Sequence, residues 1–334
     1  MSVRDSIELG EFYVVGARQR LDRTHPEWTQ YDQGLILRVD SGSGSVKTMV
    51  EYRSPPAVRP DEEAEIQLKC GIHAGDRLYL CTSTEVLVYA VPSFAPLGYL
   101  SHPYFNDLHH VTLTPAGDLV VVDTGLDMVL VMSLEGKILR EYSVNDEPLW
   151  TRFSRSIDYR KVVSTKPHHS HPNFAFTIDG ALWVTRCEDK DAVCLEDRRR
   201  RFDIAVQYPH DGTVHGGRVY FTTIDGRVCL FDTTTLARVA IVDLNTITAR
   251  QRPLGWCRGL FVLDQNVVVV GFTRLRYTKF KEKVEWLKWH GGVGGSLTAE
   301  PTRIAAYDLA KGTMLWEAPM EQYGLNTIWG IYRA

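Results

Sequence analysis

What the chain lacks narrows its class first. Its six cysteines (Cys70, Cys81, Cys187, Cys194, Cys229 and Cys257) form no C-x-x-C pair. Most of them sit inside apolar strand patterns, where a reduced, buried thiol is the expectation. No stretch approaches the roughly 20 apolar residues of a membrane span, and the first residues, "MSVRDSIELGEFYVVG", hold no apolar signal core. The expectation is a cytoplasmic protein with no membrane partner. A formal net charge of -3 leaves no basic excess for nucleic acid, which is excluded as the main partner. "GGVGGS" (291–296) lacks the Lys-Ser/Thr of a phosphate loop and does not lead from a strand into a helix. The charge run "EDRRRRFD" (196–203) reads as a solvated loop or sheet edge.

What is present is repetition. "HHVTLTPAGDLVVVDTGLDMVLVMSLEGKILREYSV" and "HDGTVHGGRVYFTTIDGRVCLFDTTTLARVAIVDL" each hold four apolar runs rich in Val, Tyr and Phe, separated by tight Gly/Asp turns. Turns of that chemistry between β-formers signal hairpins, so each segment is four antiparallel strands, A to D. "PNFAFTIDGALWVTR", "RGLFVLDQNVVVVGFTRL" and "IQLKCGIHAGDRLYLCTSTEVLVYAVPSFAPLGYL" repeat the unit. The amino terminus supplies B, C and D without an A. The carboxyl terminus ends in a lone extra run, "NTIWGIYRA". Six units closed by pairing the two chain ends make an all-β, six-bladed propeller, read as a single domain over 1–334.

The A–B and C–D turns are short throughout, whereas nearly all the long connections fall on the other face of the disc. They are "RQRLDRTHPEWTQYDQ", "RSPPAVRPDEEAE", "NDEPLWTRFSRSIDYRKVVSTKPHHS", "NTITARQRPLG" and an insertion in blade 6 at 276–300. Loops of such length are uncommon without a function, and their segregation to one face points to a site there. In the blade 6 insertion Phe280, Val284 and Leu287 keep helical spacing. A short amphipathic helix is expected, either as a lid or as a contact between copies of the chain.

The pattern resembles the six-bladed propellers that include the NHL-repeat, SMP-30-like and arylsulfotransferase-like proteins. The resemblance is architectural, spans nearly the whole chain and carries no family-specific motif, so it assigns no residues.

Strand A is innermost and begins on the loop-rich face, so its first residues should ring the mouth of the central channel. Counting back from each A–B turn places Leu68, His110, Asn173, His210, Arg258 and Trp329 at one depth, with His171 and Trp256 two residues further out. His109 should point sideways, unless a bulge exchanges it with His110. His168 and His169 lie in the preceding loop, within reach of the site. His73 and His215 belong to turns on the opposite face.

Three readings follow. In the first, His110, His171 and His210 hold Zn²⁺ or Fe²⁺ and activate water or a substrate oxygen in a lyase, hydrolase or oxygenase. The resemblance to propeller lyases and carotenoid-type oxygenases implies such axial histidines, and Asp107 and Asp211 would supply outer hydrogen bonds. In the second, His210 or His110 acts without metal as acid–base or nucleophile, as arylsulfotransferase-like propellers do, and Arg258 binds an anionic group. In both, His109 joins the catalytic set. Asn173 (as a hydrogen-bond donor), Trp256, Trp329, Asp211 and His169 then contact a small polar or anionic substrate. In the third, the loop face is a non-enzymatic scaffold for a peptide or protein, although WD and Kelch signatures are absent.

Overall fold

The computed structural model describes residues 9–20, 25, 29–62, 64–250, 252–275 and 300–334. They form six four-stranded antiparallel sheets arranged as propeller blades. Blades 2 to 6 each use four consecutive strands, running from inside to outside. Their inner strands are Gly71–Ala74, Leu108–Leu113, Pro172–Ile178, Thr213–His215 and Trp256–Val262. Blade 1 is built from both ends of the chain: Thr327–Arg333 is its inner strand, followed by Glu11–Gln19, Tyr31–Asp40 and Val46–Tyr52. The inner strands contact one another in cyclic order, so the terminal pairing closes the ring.

Local chemistry explains the tight face. The A–B hairpins of blades 4 and 5 turn at Asp179-Gly180 and Gly216-Gly217, with positive φ at both central residues (51° and 79°, 55° and 75°). That is the primed turn matching the twist of paired strands, and glycine adopts it without strain. Middle strands such as Leu119–Asp123 and Val267–Thr273 are buried along their whole length, because each blade packs a sheet on both faces. Outer strands such as Ile138–Ser143 are half-buried or exposed along their whole length. Within "EDRRRRFD", Arg201–Asp203 is the outer edge strand of blade 4.

The long connections lie where the turn lengths place them. The blade 1 insertion is shorter than its sequence suggests, spanning 20–30, because both flanking strands extend into it. The connection into blade 6 holds a short helix, Leu244–Thr248, which Asp243 caps by accepting from the Asn245 N–H. The 145–170 loop folds down against blade 3. There the Asn106 amide donates to the carbonyls of Tyr159 (2.9 Å) and Val162 (2.8 Å). The blade 6 insertion expected as a lid helix or copy–copy contact lies outside the described residues, except for Glu300. No helix among the described residues is long and apolar enough to cross a membrane.

Candidate active site

On the loop-rich face the channel opens into a cavity of about 670 Å³. A repeated backbone irregularity shapes its floor. The inner strands of blades 1, 3 and 4 each carry one unpaired residue in their pairing with the next strand: Trp329, His109 and Asn173. The blade 6 strand does the same at Gly259, directly after Arg258. A bulge re-aims side chains and ends regular pairing, and here Trp329, His109 and Asn173 all line the cavity.

The bulge settles the order of the histidine pair. His109 faces the cavity and His110 does not, the reverse of simple alternation. The His110 ring stacks on Phe174 (centroids 3.7 Å apart) between blades. Its Nε2–H donates to the Gly71 carbonyl (3.2 Å), and its Nδ1 accepts the Ala175 N–H (3.2 Å). Both nitrogens are engaged and burial pushes the pKa down to about 3, so His110 is a neutral strut holding blades 2, 3 and 4 together. In blade 2 Gln67, ahead of the inner strand, lines the cavity, while Leu68 packs into an interblade core.

His109 is oriented by Asn173. Asn173 spends its amide N–H on the Pro209 carbonyl (2.9 Å), so its Oδ1 accepts from His109 Nδ1 (2.7 Å). His109 Nε2 lies 3.3 Å from Asp107, whose carboxylate binds the fully buried Lys69 ammonium at 2.5 Å. Burial opposes the Asp107 charge, but Lys69 and His109 hold its pKa well below the usual carboxylate range. Burial brings His109 down to about 4 against the pull of that carboxylate. Asn173, expected as a donor to substrate, instead positions His109.

His171 and His210 complete the imidazole group. The His171 ring is 5.0 Å from that of His109, and its Nδ1 lies 2.9 Å from Nδ1 of His168. His210 is 4% exposed and faces the same cavity, 6.1 Å from the His109 ring and 5.4 Å from Trp329. Neither of its ring nitrogens has a hydrogen-bond partner among the described residues. Burial, reinforced for His171 by its histidine neighbours and for His210 by Arg258, holds both pKa values well below the ordinary imidazole value. The Arg258 guanidinium lies over the Trp329 ring, 3.6 Å from its centre, and donates to the Ile328 carbonyl (2.7 Å) and the Thr327 hydroxyl. Trp329 in turn donates to Gln67 (2.7 Å), and Trp256 lines the wall.

Two expected contacts stand elsewhere. Asp211 is buried behind the wall, where it accepts from the Thr222 hydroxyl and the Gly259 N–H (3.3 Å), and burial pushes it up to about 6. His169 turns outward to Glu147 (3.1 Å), since its side chain follows the outer course of the loop. With His110 facing away, the expected metal set is not brought together. Among the described residues no group of three or more His, Cys, Asp or Glu is placed to hold a metal ion.

Counting along the strands missed Asp127. Its carboxylate accepts from three successive backbone N–H groups, His169 (2.7 Å), Ser170 (3.1 Å) and His171 (2.8 Å), and from the Arg152 guanidinium (2.9 Å). This nest holds His171 at a φ of 52°, a left-handed conformation that a non-glycine residue keeps only when its surroundings impose it. Asp127→Ala should free the loop, costing about 4 kcal/mol or more at ~1–3 kcal/mol for each of the four bonds lost. Hydrogen–deuterium exchange should then show the 169–171 amides exchanging at least about 100-fold faster. Unchanged protection there would mean that Asp127 does not hold the loop.

No family model matches the chain, and no curated protein matches it in sequence. In fold it is similar to a protein of unknown function from Bacteroides caccae, with a TM-score of 0.59 and 12% identity over 96% of this chain and 97% of that one. It is also similar to a catalytically inactive virginiamycin B lyase from Staphylococcus aureus with quinupristin, with a TM-score of 0.45 and 14% identity over 71% and 69% of the two chains. The C-terminal WD40 domain of Sif2 gives a TM-score of 0.47 and 12% identity over 96% and 83%. These likenesses concern the fold alone.

Proposed function

We propose that the protein is an enzyme whose central cavity carries out metal-free imidazole chemistry on an organic molecule, with His210 as the reacting group. One observation carries the reading: a histidine enclosed in the cavity wall leaves both nitrogens without a partner among the described residues. Leaving a buried polar group unsatisfied costs about 1–3 kcal/mol, so such groups mark places completed by a ligand. Kept neutral, His210 retains a lone pair for general-base or nucleophilic attack. Arg258 supplies a fixed positive charge beside it, where negative charge developing on the substrate is stabilised. His109, aligned by Asn173, is placed as a second proton carrier. The reading with Zn²⁺ or Fe²⁺ receives less support, because it needs His110 as a ligand and both His110 nitrogens are already engaged.

The test needs no natural substrate. p-Nitrophenyl acetate should acylate a His210 nitrogen and release p-nitrophenolate. Water then cleaves the acyl-imidazole, returning acetate and the free ring. His210→Gln should lower the protein-dependent rate by roughly 100-fold or more, in the range of a lost acid–base group. Cys187→Ser, which removes the thiol in the same cavity, should leave the rate within about twofold. A His210→Gln rate equal to wild type ends the proposal, and so would stoichiometric bound metal whose removal abolishes the activity.

A further inference from the structure

We infer that His171 is a general base of this site, presenting an Nε2 lone pair to the water that releases an acyl group from His210. This rests on the proposed role of His210 and names the group that completes the same reaction.

The proton positions follow from a chain of hydrogen bonds that begins behind the cavity wall. The Asn106 amide spends its N–H groups on the carbonyls of Tyr159 (2.9 Å) and Val162 (2.8 Å), so it offers Thr165 only its Oδ1. The Thr165 hydroxyl lies 3.3 Å from that oxygen and 2.6 Å from the Gly125 carbonyl. Both are acceptors, so they take its one proton and leave its oxygen to accept from a third neighbour. That neighbour is His168 Nε2 at 3.4 Å, which therefore carries the hydrogen. Burial holds both His168 and His171 below the ordinary imidazole value, and a neutral imidazole has a single N–H. His168 Nδ1 is then bare, and it accepts from His171 Nδ1–H across 2.9 Å. The hydrogen bond at one nitrogen fixes the state of the other, so His171 Nε2 is left with a lone pair. His171 lines the cavity, and no hydrogen bond among the described residues fills that nitrogen.

Placement and chemistry agree with this assignment. The Asp127 nest fixes the backbone from which the His171 ring projects. The rings of His171 and His210 both neighbour His109, at 5.0 Å and 6.1 Å, and line one cavity, so water held by His171 can reach an acyl group on His210. That water gives a proton to His171 Nε2 while its oxygen attacks the acyl carbon. The bond from this carbon to the His210 nitrogen breaks, and its electron pair returns to the ring. The carboxylic acid leaves, and His171 passes its proton to solvent. While charged, His171 donates Nδ1–H to His168 more strongly than before, and the Asp107 carboxylate favours the same cation.

Two measurements on the full chain test this. With isotope-labelled histidine, two-bond proton–nitrogen spectra at pH 7 report which ring nitrogen carries hydrogen, His171 being assigned through its contacts to the His109 and His168 rings. His171 should hold its proton on Nδ1. Thr165→Val, which takes away the acceptor for His168, should return a mixture of both forms. A proton on Nε2 in the wild-type chain overturns the inference, and that spectrum needs no variant to fold. With p-nitrophenyl acetate, His171→Gln should keep an initial burst of p-nitrophenolate but lower the steady rate after it by about 100-fold, the range of a lost acid–base group. The acetyl adduct on His210 should then accumulate and be seen by mass spectrometry. Burst and steady rate falling together, or a steady rate that does not fall, also overturns it. Cleavage through His210 with the His171 proton on Nε2 would leave the His210 reading standing without this one. The Nδ1 proton in place, with no cleavage that depends on His210, would end that reading and this role with it, and leave only the tautomer.

Discussion

A chain shortened by its last nine residues, 326–334, should lose its cooperative fold. The segment removed contains the inner strand Thr327–Arg333 of blade 1, which pairs with Glu11–Gln19 and closes the ring. Ile328, Trp329, Ile331 and Tyr332 are all buried there, and the Tyr332 hydroxyl accepts the Gly71 N–H (2.7 Å) to tie blade 1 to blade 2. At about 1.5–3 kcal/mol for each large side chain, their burial is worth roughly 6–12 kcal/mol, the scale of an entire domain's stability. The strand Glu11–Gln19 would then be left with an open edge, a template for aggregation. The shortened chain should be insoluble, or soluble without near-ultraviolet dichroism and without a sharp thermal transition. A melting temperature within a few degrees of the full chain would show that the ring does not depend on this closure.

That closure was readable from the amino acids because it is a matter of counting. Strand-forming runs separated by Gly/Asp turns come in fours, and the one missing at the start is the one left over at the end. The floor of the cavity was only half readable, for an equally physical reason. Alternation assigns side chains to faces as long as pairing is regular, and pairing breaks where the inner strands reach the cavity. Counting from the turns therefore placed Asn173, His210, Arg258 and Trp329 at the cavity but took His110 in place of His109 and Leu68 in place of Gln67. A double histidine at the start of an inner strand hints at such a bulge without saying which ring is released. Asp127 was beyond reach, because its partners are backbone N–H groups some 40 residues away. Lys69 was hidden for a related reason: within an apolar run it reads as an exception, and only the fold brings Asp107 beside it.

Acid should unfold the protein from an unusually high pH, because imidazoles that the sequence suggests would titrate near 6.5 are held neutral inside the fold. His109 at about 4 and His110 at about 3 take up protons in the unfolded chain long before they do so in the native one. A folded-state pKa below the unfolded value of a base means stability that is full above about pH 6.5 and is lost as pH falls toward the folded value. By pH 5 the two together cost about 4 kcal/mol, from 1.36 kcal/mol per pH unit over roughly 1.5 units each. Asp211 works the other way. At about 6 in the fold it gains its proton before the unfolded chain does, returning about 1 kcal/mol by pH 5. His171 and His210 add to the loss, and Asp123, raised by burial, subtracts from it. The net loss of about 3 kcal/mol from the first three groups is a large part of a typical margin of 5–15 kcal/mol. Urea titrations at pH 7, 6 and 5 should show it. His110→Gln can still donate to Gly71 and accept from Ala175, and it should flatten the slope by about 1.4 kcal/mol per pH unit below pH 6. Equal stability at pH 7 and 5, or an unchanged slope in His110→Gln, would show that these rings are not held neutral. The same burial governs the chemistry. A solvent-exposed imidazole loses its nucleophilic form below about pH 6.5. Cleavage of p-nitrophenyl acetate through His210 should stay level below that value and end only where the propeller itself unfolds.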